Sequence, residues 1–301
     1  MARWRLGTHN VNGIRASVRR GFTRFWTRTA ADAVALQEVR CRADDLPPDA
    51  FGQRIATLDL GQQAGRNGVA ILTRQPPANV RSLSGSAITL NPGGSPTPIQ
   101  AQRITSRDLA KFADEGRYLE VDLADVPIRV ASLYLPKGAA WPYEADLKDK
   151  YDRKMRFMRG LARLLTLSRR EAAAQGLQFV VSGDFNVAHE ALDLKNWRAN
   201  QKSEGFLPEE RSWFSSVVGS RRLVDVVRLL HPKVNGPYSW WSWRGQAFTN
   251  DAGWRIDYQL ASPSLAGAAR RAWVAREATY EARMSDHSPV LVDYDLDALL
   301  D

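Results

Sequence analysis

Short apolar runs recur along the chain and predict buried strands. Residues 33–36, 69–72 and 178–182 are mostly apolar over four or five positions. That length is typical of a strand covered on both faces rather than of a helix. A further apolar run at residues 291–294 predicts the last strand.

One long segment has the period of a helix. Between about residues 152 and 174, Met155, Met158 and Leu165 recur at intervals that place them on one face. Gly176 follows this pattern and is typical of a helix end. We therefore predict an amphipathic helix that packs its apolar stripe against a sheet.

Other segments indicate a hairpin and a second helix. Residues 118–123 and 128–133 alternate apolar and polar side chains on either side of Ala-Asp-Val-Pro, which predicts a β-hairpin. Pro208 precedes a helical pattern at about residues 209–218, and its fixed φ suits the first helical position.

The arrangement of these elements predicts one domain. Residues 82–98 are rich in Ser, Gly and Pro, so we expect a long surface loop that reaches about residue 108. No linker or repeat divides the chain, and we predict a single domain over residues 1–301. The predicted fold is α/β (α+β type): a four-layer sandwich of two packed, mostly antiparallel or mixed sheets, flanked by helices.

Composition and charge narrow the choice of partners. The 301 residues are 44% hydrophobic, which is enough for a large core, and carry a formal net charge of +9. A basic chain favours a polyanionic partner, most simply nucleic acid. The alternative is an arginine-rich composition on a solvated surface, because the charges are spread along the whole chain.

Cysteine content and hydropathy indicate the compartment. The single Cys41 cannot form an intramolecular disulfide, so we expect a reducing compartment, the bacterial cytoplasm and its nucleoid. No stretch approaches the apolar length of a signal peptide core or a membrane span, so we expect no membrane association.

Several predicted strands end in amides, acids or a hydroxyl. Asn10 and Asn12 lie two positions apart, and therefore on one side of a strand. Glu38 ends an apolar run, where its oxygens suit a hard divalent cation. Tyr134 ends another such run and could donate to a phosphate oxygen. Each of these residues alone also has a simpler interpretation: a turn for the two amides, a surface acid for Glu38 and a core aromatic for Tyr134.

Two later segments add acids and an imidazole. Asp184 and Asn186 follow a predicted strand, where an Asp can deprotonate water and an Asn can hold it without adding charge. Asp257 is a candidate partner for His287, because a buried His needs a carboxylate to fix its tautomer. Acids, amides and one imidazole in separate segments suit a metal-assisted phosphodiester hydrolase.

Tryptophan is abundant, with 10 residues in the chain. Trp240, Trp241, Trp243 and Trp254 cluster around one turn and suit a stacking surface for a sugar or a base. The alternative, aromatic residues buried between strands, is expected to account for at least two of them.

Together these motifs resemble the exonuclease III family of AP endonucleases, in the endonuclease/exonuclease/phosphatase superfamily. Its patterns N-x-(N/D)-G-(L/I)-R, L-Q-E, G-D-x-N-(V/I), G-F-x-P-x-E-R, G-x-R-(I/L)-D and S-D-H match residues 10–15, 36–38, 183–187, 205–211, 253–257 and 285–287. These ordered motifs span nearly the whole chain. The fourth and fifth favour this family over relatives that act on lipid or inositol phosphates.

The resemblance implies a role for each matching residue. Glu38 would be the main ligand of Mg²⁺, for which Mn²⁺ would substitute, with Asn12 beside it and Asp286 as a further acid near the metal. Asp184 would align or deprotonate the attacking water, and His287 would steady charge on the phosphate. Asp257 would hold His287. Asn10 and Asn186 would donate to the water or the phosphate, and Tyr134 would bind the phosphate or the leaving group.

The resemblance also implies substrate contacts. Trp240, Trp254 and Ile256 would form a pocket for a base-free deoxyribose, and a normal nucleotide would clash there. Further DNA contacts would come from Arg117, Lys137 and Arg244. Lys137 departs from the pattern, because many relatives carry Asn or Gln at that position, so that it is either a phosphate contact or a surface lysine.

The implied function is DNA repair by a monomer that acts on double-stranded DNA. The activity would be Mg²⁺-dependent cleavage on the 5′ side of abasic sites, with 3′-end trimming and 3′→5′ exonuclease activity. Three alternatives remain open at this point. They are an enzyme that is mainly an exonuclease, a phosphatase or lipid phosphodiesterase of the same superfamily, and a catalytically inactive DNA-binding module.

Overall fold

Two β-sheets face each other at the centre of the computed structural model, which describes residues 3–63 and 65–299. The strands of the first sheet lie in the order β14 (Ala269–Val274), β15 (Val290–Asp295), β1 (Arg3–Asn10), β2 (Ala33–Gln37), β4 (Val69–Thr73), β3 (Ile55–Asp59), β6 (Ser86–Leu90) and β7 (Thr97–Gln100). Those of the second lie in the order β12 (Val224–Asp225), β13 (Asp257–Ala261), β11 (Gln178–Asp184), β10 (Ile128–Tyr134), β9 (Tyr118–Asp122), β5 (Asn79–Ser82) and β8 (Gln102–Arg103).

Helices cover the outer faces of both sheets, and two short helices pack against the apolar cluster between the sheets. Their bounds are α1 (Ile14–Arg19), α2 (Phe22–Thr29), α3 (Lys148–Ala174), α4 (Pro208–Val217), α5 (Val226–Leu230) and α6 (Pro263–Gly267). One apolar cluster joins the facing sides of the two sheets, for example Leu6 and Ile71 with Val121 and Val180, and α5 and α6 are the two short helices that pack against it. Separate clusters join the first sheet to α2 and the second sheet to α3. The predicted four-layer sandwich is confirmed.

Both sheets are mixed, and their parallel pairs determine where side chains converge. β1 runs parallel to β2 in the first sheet, and β10 runs parallel to β11 in the second. Parallel neighbours end at the same edge of a sheet. In the first sheet, Asn10 pairs with Gln37; in the second, Tyr134 pairs with Asp184. Polar residues at these ends can therefore meet at one rim of the sandwich.

Side-chain hydrogen bonds join the two sheets near this rim. Gln37 of β2 donates from Nε2 to Ser132 Oγ of β10 at 3.0 Å, and the Ser132 hydroxyl donates to Leu36 O at 2.8 Å. All three residues are fully buried, so these bonds form without competition from bulk water. The relative position of the two sheets is thereby fixed where the polar residues meet.

The long helix was placed correctly, with a start four residues earlier than predicted. Helix α3 covers Lys148–Ala174, and Met158, Leu161 and Leu165 are buried along its inner face. Gly176 adopts φ 73°, a left-handed conformation that favours glycine and ends the helix. Among the described residues, none of the helices is long and apolar enough to cross a bilayer.

The prediction of a long surface loop at about residues 82–108 was wrong. Strands β6 and β7 form a hairpin at the edge of the first sheet, and β8 pairs with β5 in the second. The Asn-Pro-Gly-Gly sequence at residues 91–94 is only the turn of this hairpin. Pro98 lies in the edge strand β7, where a missing N–H is tolerated. The Ser, Gly and Pro content concealed the short alternating strands.

A buried acid at the end of β3 yields a prediction about stability. The Asp59 side chain accepts a hydrogen bond from Gly61 N at 3.1 Å, while its Oδ2 has no hydrogen-bond partner within residues 3–63 and 65–299. Burial raises the pKa of Asp59 to about 7. The folded protein therefore holds a proton there that the unfolded chain releases at lower pH, and stability falls as pH rises between about 4 and 7.

Replacing Asp59 with Asn should stabilise the protein at pH 8 and much less at pH 5. The Asn side chain keeps an acceptor for Gly61 N and cannot ionise. We expect the gain in the free energy of unfolding to be about 2 kcal/mol larger at pH 8 than at pH 5. Urea denaturation of both proteins at the two pH values measures this difference, and equal gains would contradict the assignment.

Candidate active site

The ends of four strands place polar side chains at one rim. Asn10 ends β1, Tyr134 ends β10 and Asp184 ends β11, while Glu38 follows β2 directly. Asp257 begins β13 and pairs with Asp184 across the antiparallel ladder. The two sheets therefore contribute to one site because their parallel strands end on the same side of the sandwich.

Asn10 connects the carboxylates of the two sheets. Its Nδ2 donates to Glu38 Oε1 at 2.8 Å and to Asp184 Oδ2 at 2.9 Å. Its Oδ1 accepts from Asn12 N at 3.0 Å, and the residue is fully buried. One amide thus holds two acids close together, in positions that their mutual repulsion alone would not favour.

Asp184 is a fully buried acid that accepts hydrogen bonds from Asn186 as well as from Asn10. Asn186 donates its backbone N–H to Asp184 Oδ1 at 2.8 Å and its side-chain amide to Asp184 Oδ2 at 3.1 Å. The same amide donates to Leu135 O at 2.8 Å, and Asn186 adopts φ 48°. Burial raises the pKa of Asp184, the charge of His287 opposes this, and the nearby carboxylates of Asp257 and Glu38 raise the pKa further. A carboxylate with a raised pKa is a better proton acceptor near neutral pH.

His287 is held by a chain of hydrogen bonds. Its Nδ1 lies 2.8 Å from Asp257 Oδ2, which also accepts from Ser239 Oγ at 2.6 Å. Its Nε2 lies 3.9 Å from Asp184 Oδ2. Burial alone would lower the pKa of His287, but the carboxylates of Asp257 and Asp184 outweigh it and raise the pKa well above the usual range. The imidazole is therefore a cation at neutral pH, and it faces the pair of acids Glu38 and Asp184, called here the acidic cluster.

Two indole rings form an apolar wall beside these charges. The rings of Trp240 and Trp254 meet edge to face, with centroids 6.2 Å apart. Trp240 donates from Nε1 to Asp286 Oδ2 at 3.1 Å, and Asn12 donates from Nδ2 to Asp286 Oδ1 at 2.8 Å. Both tryptophans line a cavity of about 370 Å³ together with Ile256. The cavity therefore has one charged side and one aromatic side.

The charged side has the oxygen donors of a cation site. One side-chain ligand atom from each of Glu38, Asp184 and His287 lies within 4.8 Å of the others. The guanidinium of Arg40 contacts Glu38 Oε2 and donates to Asn12 Oδ1 at 2.6 Å, so both oxygens already face a single cation. Carboxylate and amide oxygens suit a hard divalent ion, whereas a protonated His287 has no free lone pair.

The model of the Endonuclease/Exonuclease/phosphatase family matches residues 7–287. The chain belongs to this family. The match begins in β1, includes every residue of the acidic cluster, and ends at His287.

Several members of the Endonuclease/Exonuclease/phosphatase family are similar to this chain over most of its length. An exodeoxyribonuclease from Bacillus subtilis is 27% identical over 95% of this chain and 97% of its own length. The DNA repair nuclease APEX1 from Danio rerio is 27% identical over 88% of this chain and 74% of its own. An AP endonuclease from Archaeoglobus fulgidus superposes with a TM-score of 0.76, at 24% identity over 97% of this chain and 99% of that one. This last likeness shows the fold.

The structure brings most of the predicted site residues together around the cavity described above. The cavity is lined by the predicted residues Asn12, Glu38, Tyr134, Lys137, Asp184, Asn186, Trp240, Trp254, Ile256, Asp286 and His287. Asn10 and Asp257 lie behind the lining and contact it through the hydrogen bonds described above. Trp241 is buried against Phe248, as expected for a core aromatic.

Two predicted substrate contacts lie elsewhere. Arg117 is buried and does not line the cavity: its Nε donates to Glu115 Oε2 at 2.7 Å and its Nη1 to Tyr134 O at 3.2 Å. Its guanidinium also lies 4.9 Å from the Tyr134 ring centroid. In this structure the Arg117 guanidinium therefore contacts Tyr134 and Glu115, and its direct contact with substrate stays a prediction. Arg244 is exposed and also lies outside this lining.

Sequence reasoning missed several residues that shape the site. Arg40 touches Glu38 and Asn12, Glu204 lines the cavity, and Lys154 donates from Nζ to Asn186 O at 2.8 Å and to Glu210 Oε1 at 2.6 Å. Lys154 is 1% exposed although it lies in a helix rich in surface arginines. For Lys154, the signal in the sequence was Glu210 of the 205–211 motif, because a buried acid requires a buried cation.

Proposed function

We propose that this protein is a DNA repair nuclease that cleaves phosphodiesters on the 5′ side of abasic sites, and that it also trims 3′ ends. The observation that carries the proposal is one cavity that combines the Glu38, Asp184 and His287 cluster with an indole wall. The names of the curated relatives support it, since they include an exodeoxyribonuclease from Bacillus subtilis and a DNA-(apurinic or apyrimidinic site) endonuclease from Dictyostelium discoideum.

Each polar residue then has a chemical task. Asp184 takes a proton from the attacking water, and the side-chain amides of Asn10 and Asn186 hold the Asp184 carboxylate in position. The His287 cation stabilises negative charge on the phosphate as the transition state forms. Burial, together with Glu38 and Asp184, raises the pKa of Tyr134, so its hydroxyl stays protonated and donates to a phosphate or leaving oxygen.

A divalent cation would offset the negative charges of the site and of the phosphate. Mg²⁺, with Mn²⁺ as a substitute, would be held by oxygens of Glu38 and Asn12, with Asp286 close by. When bound, it would offset negative charge on the phosphate and on the leaving 3′-oxygen. Arg40 contacts the same two oxygens and would have to release them to this ion.

The indole wall favours an abasic sugar. Trp240, Trp254 and Ile256 offer an apolar surface next to the acidic cluster, and a sugar without a base fits there after it leaves the helix. The net charge of +9 favours binding to double-stranded DNA. We propose that the enzyme acts as a monomer in the bacterial cytoplasm.

Two matched end-labelled duplexes test this proposal. One contains a single abasic analogue and the other is intact, and each is incubated with Mg²⁺ or with EDTA. We expect one Mg²⁺-dependent cut beside the lesion. A ladder from the 3′ end of the intact duplex would instead make exonuclease the main activity, which the Bacillus subtilis relative favours. Cleavage of neither duplex, with activity on a soluble phosphoester, would replace the proposal by a phosphatase.

A further inference from the structure

We propose that Lys137 and Glu204, called here the mouth pair, select DNA substrates by the charge of the phosphate that enters the cavity. Lys137 binds a phosphate after it leaves Glu204, and Glu204 disfavours a doubly charged 3′-terminal phosphate relative to a singly charged phosphodiester. This inference rests on the proposed nuclease function and refines its substrate class.

The mouth pair joins two segments that are far apart in sequence. Lys137 follows β10 and lies three residues beyond Tyr134, whereas Glu204 lies between β11 and α4. Lys137 Nζ lies 3.2 Å from Glu204 Oε1, and both residues line the same cavity as Asp184 and His287. A phosphate that approaches the acidic cluster therefore meets both charges.

The backbone on either side of the mouth pair is held in place. Gly138 adopts φ 80°, and a Cβ there would lie 2.5 Å from Cδ of the buried Lys154. Ala188 N donates to Gly205 O at 2.7 Å, next to Glu204. Because both backbones are anchored, the pair can open through its side chains alone.

The exposure of the two side chains makes the pair easy to open. The Lys137 side chain is 70% exposed and that of Glu204 is 27% exposed. An ion pair with that much solvent contact is weak, so a DNA phosphate can replace Glu204 as the partner of Lys137. Glu204 is the less exposed partner, so its carboxylate stays beside the cavity when the Lys137 side chain turns away.

Charge then discriminates between substrates. A terminal phosphate monoester carries nearly two negative charges at neutral pH, while an internal phosphodiester carries one. The Coulomb repulsion from Glu204 is about twice as large for the monoester at the same distance, and Lys137 attracts it more strongly in the same proportion. The two members of the mouth pair therefore shift selectivity in opposite directions.

Neutral substitutions of similar shape separate the two effects. The protein and its variants Glu204→Gln and Lys137→Gln bind an abasic duplex and a 3′-phosphorylated duplex in EDTA, and fluorescence anisotropy gives the ratio of the two Kd values. We expect Glu204→Gln to favour the 3′-phosphorylated duplex by about threefold to tenfold, and Lys137→Gln to disfavour it. The ratio of kcat/KM for the two duplexes in Mg²⁺ should move in the same directions.

A second ion pair of similar exposure provides the control. Arg163 and Asp108 lie 3.0 Å apart with side chains 74% and 24% exposed, outside the cavity lining. Asp108→Asn should leave both ratios unchanged. A Kd ratio for Glu204→Gln within twofold of the unmodified protein, or shifts of both mouth-pair variants in one direction, would overturn the inference. Binding without cleavage of either duplex would refute the proposed nuclease, while the Kd ratios still decide the role of the mouth pair.

Discussion

Asp184→Asn should abolish cleavage of an abasic duplex while leaving DNA binding nearly intact. We expect the rate of cleavage to fall by about a thousandfold, because removal of a general base typically costs two to four orders of magnitude. The carboxylate is fully buried, and its raised pKa suits proton transfer from water. Single-turnover cleavage with Mg²⁺ measures the chemical step, and anisotropy of a labelled duplex in EDTA measures binding.

The design must separate lost chemistry from lost folding. An Asn at position 184 would aim its NH₂ group either at the side-chain amides of Asn10 and Asn186 or at the Asn186 backbone N–H, all of which now donate to Asp184. Thermal unfolding of the variant is therefore recorded beside its activity. Asp125→Asn serves as the matched control, because Asp125 is exposed in the turn at the opposite end of β10. Turnover of Asp184→Asn within tenfold of the unmodified enzyme would remove Asp184 from the role of base.

Asp257→Asn should cost about a hundredfold in cleavage at neutral pH, with part of the loss recovered at lower pH. The Asn carbonyl can still accept from His287 Nδ1 and Ser239 Oγ, so geometry is largely kept while the charge is lost. Without the carboxylate, the pKa of His287 falls toward its ordinary range. Activity of the variant should then decrease as pH rises through this lower pKa, whereas the unmodified enzyme keeps a protonated His287 through neutral pH.

A double substitution tests whether Asp257 acts through His287. In the background of His287→Gln, the further change Asp257→Asn should reduce the rate only slightly, since the charge no longer has an imidazole to stabilise. The pH–rate profiles of the four proteins give the answer. A hundredfold additional loss in the His287→Gln background, or identical profiles for Asp257→Asn and the unmodified enzyme, would show that Asp257 has another task.

The site residues themselves were largely predictable because strand ends are visible in sequence. Glu38, Tyr134 and Asp184 each end an apolar run, and runs of that length are strands, while Asn10 follows a short strand-like segment. A residue that ends a strand has a fixed place relative to the sheet, which is why motifs from separate segments could be expected to meet. The hairpin β6–β7 was missed because its turn residues outweighed two short alternating strands in the local composition.

Sequence alone determined which residue types stand at the ends of the strands and which helix faces are apolar, since both follow from local periodicity. The tertiary structure alone decided which of these side chains touch. It placed the Arg117 guanidinium against Tyr134, buried Lys154 against Glu210, and placed Lys137 opposite Glu204. Such contacts join segments separated by many residues, and they depend on how two twisted sheets and their loops pack. Local sequence patterns indicate which residues are buried and whether a segment has the repeat of a helix or a strand, but they do not indicate the distances between segments.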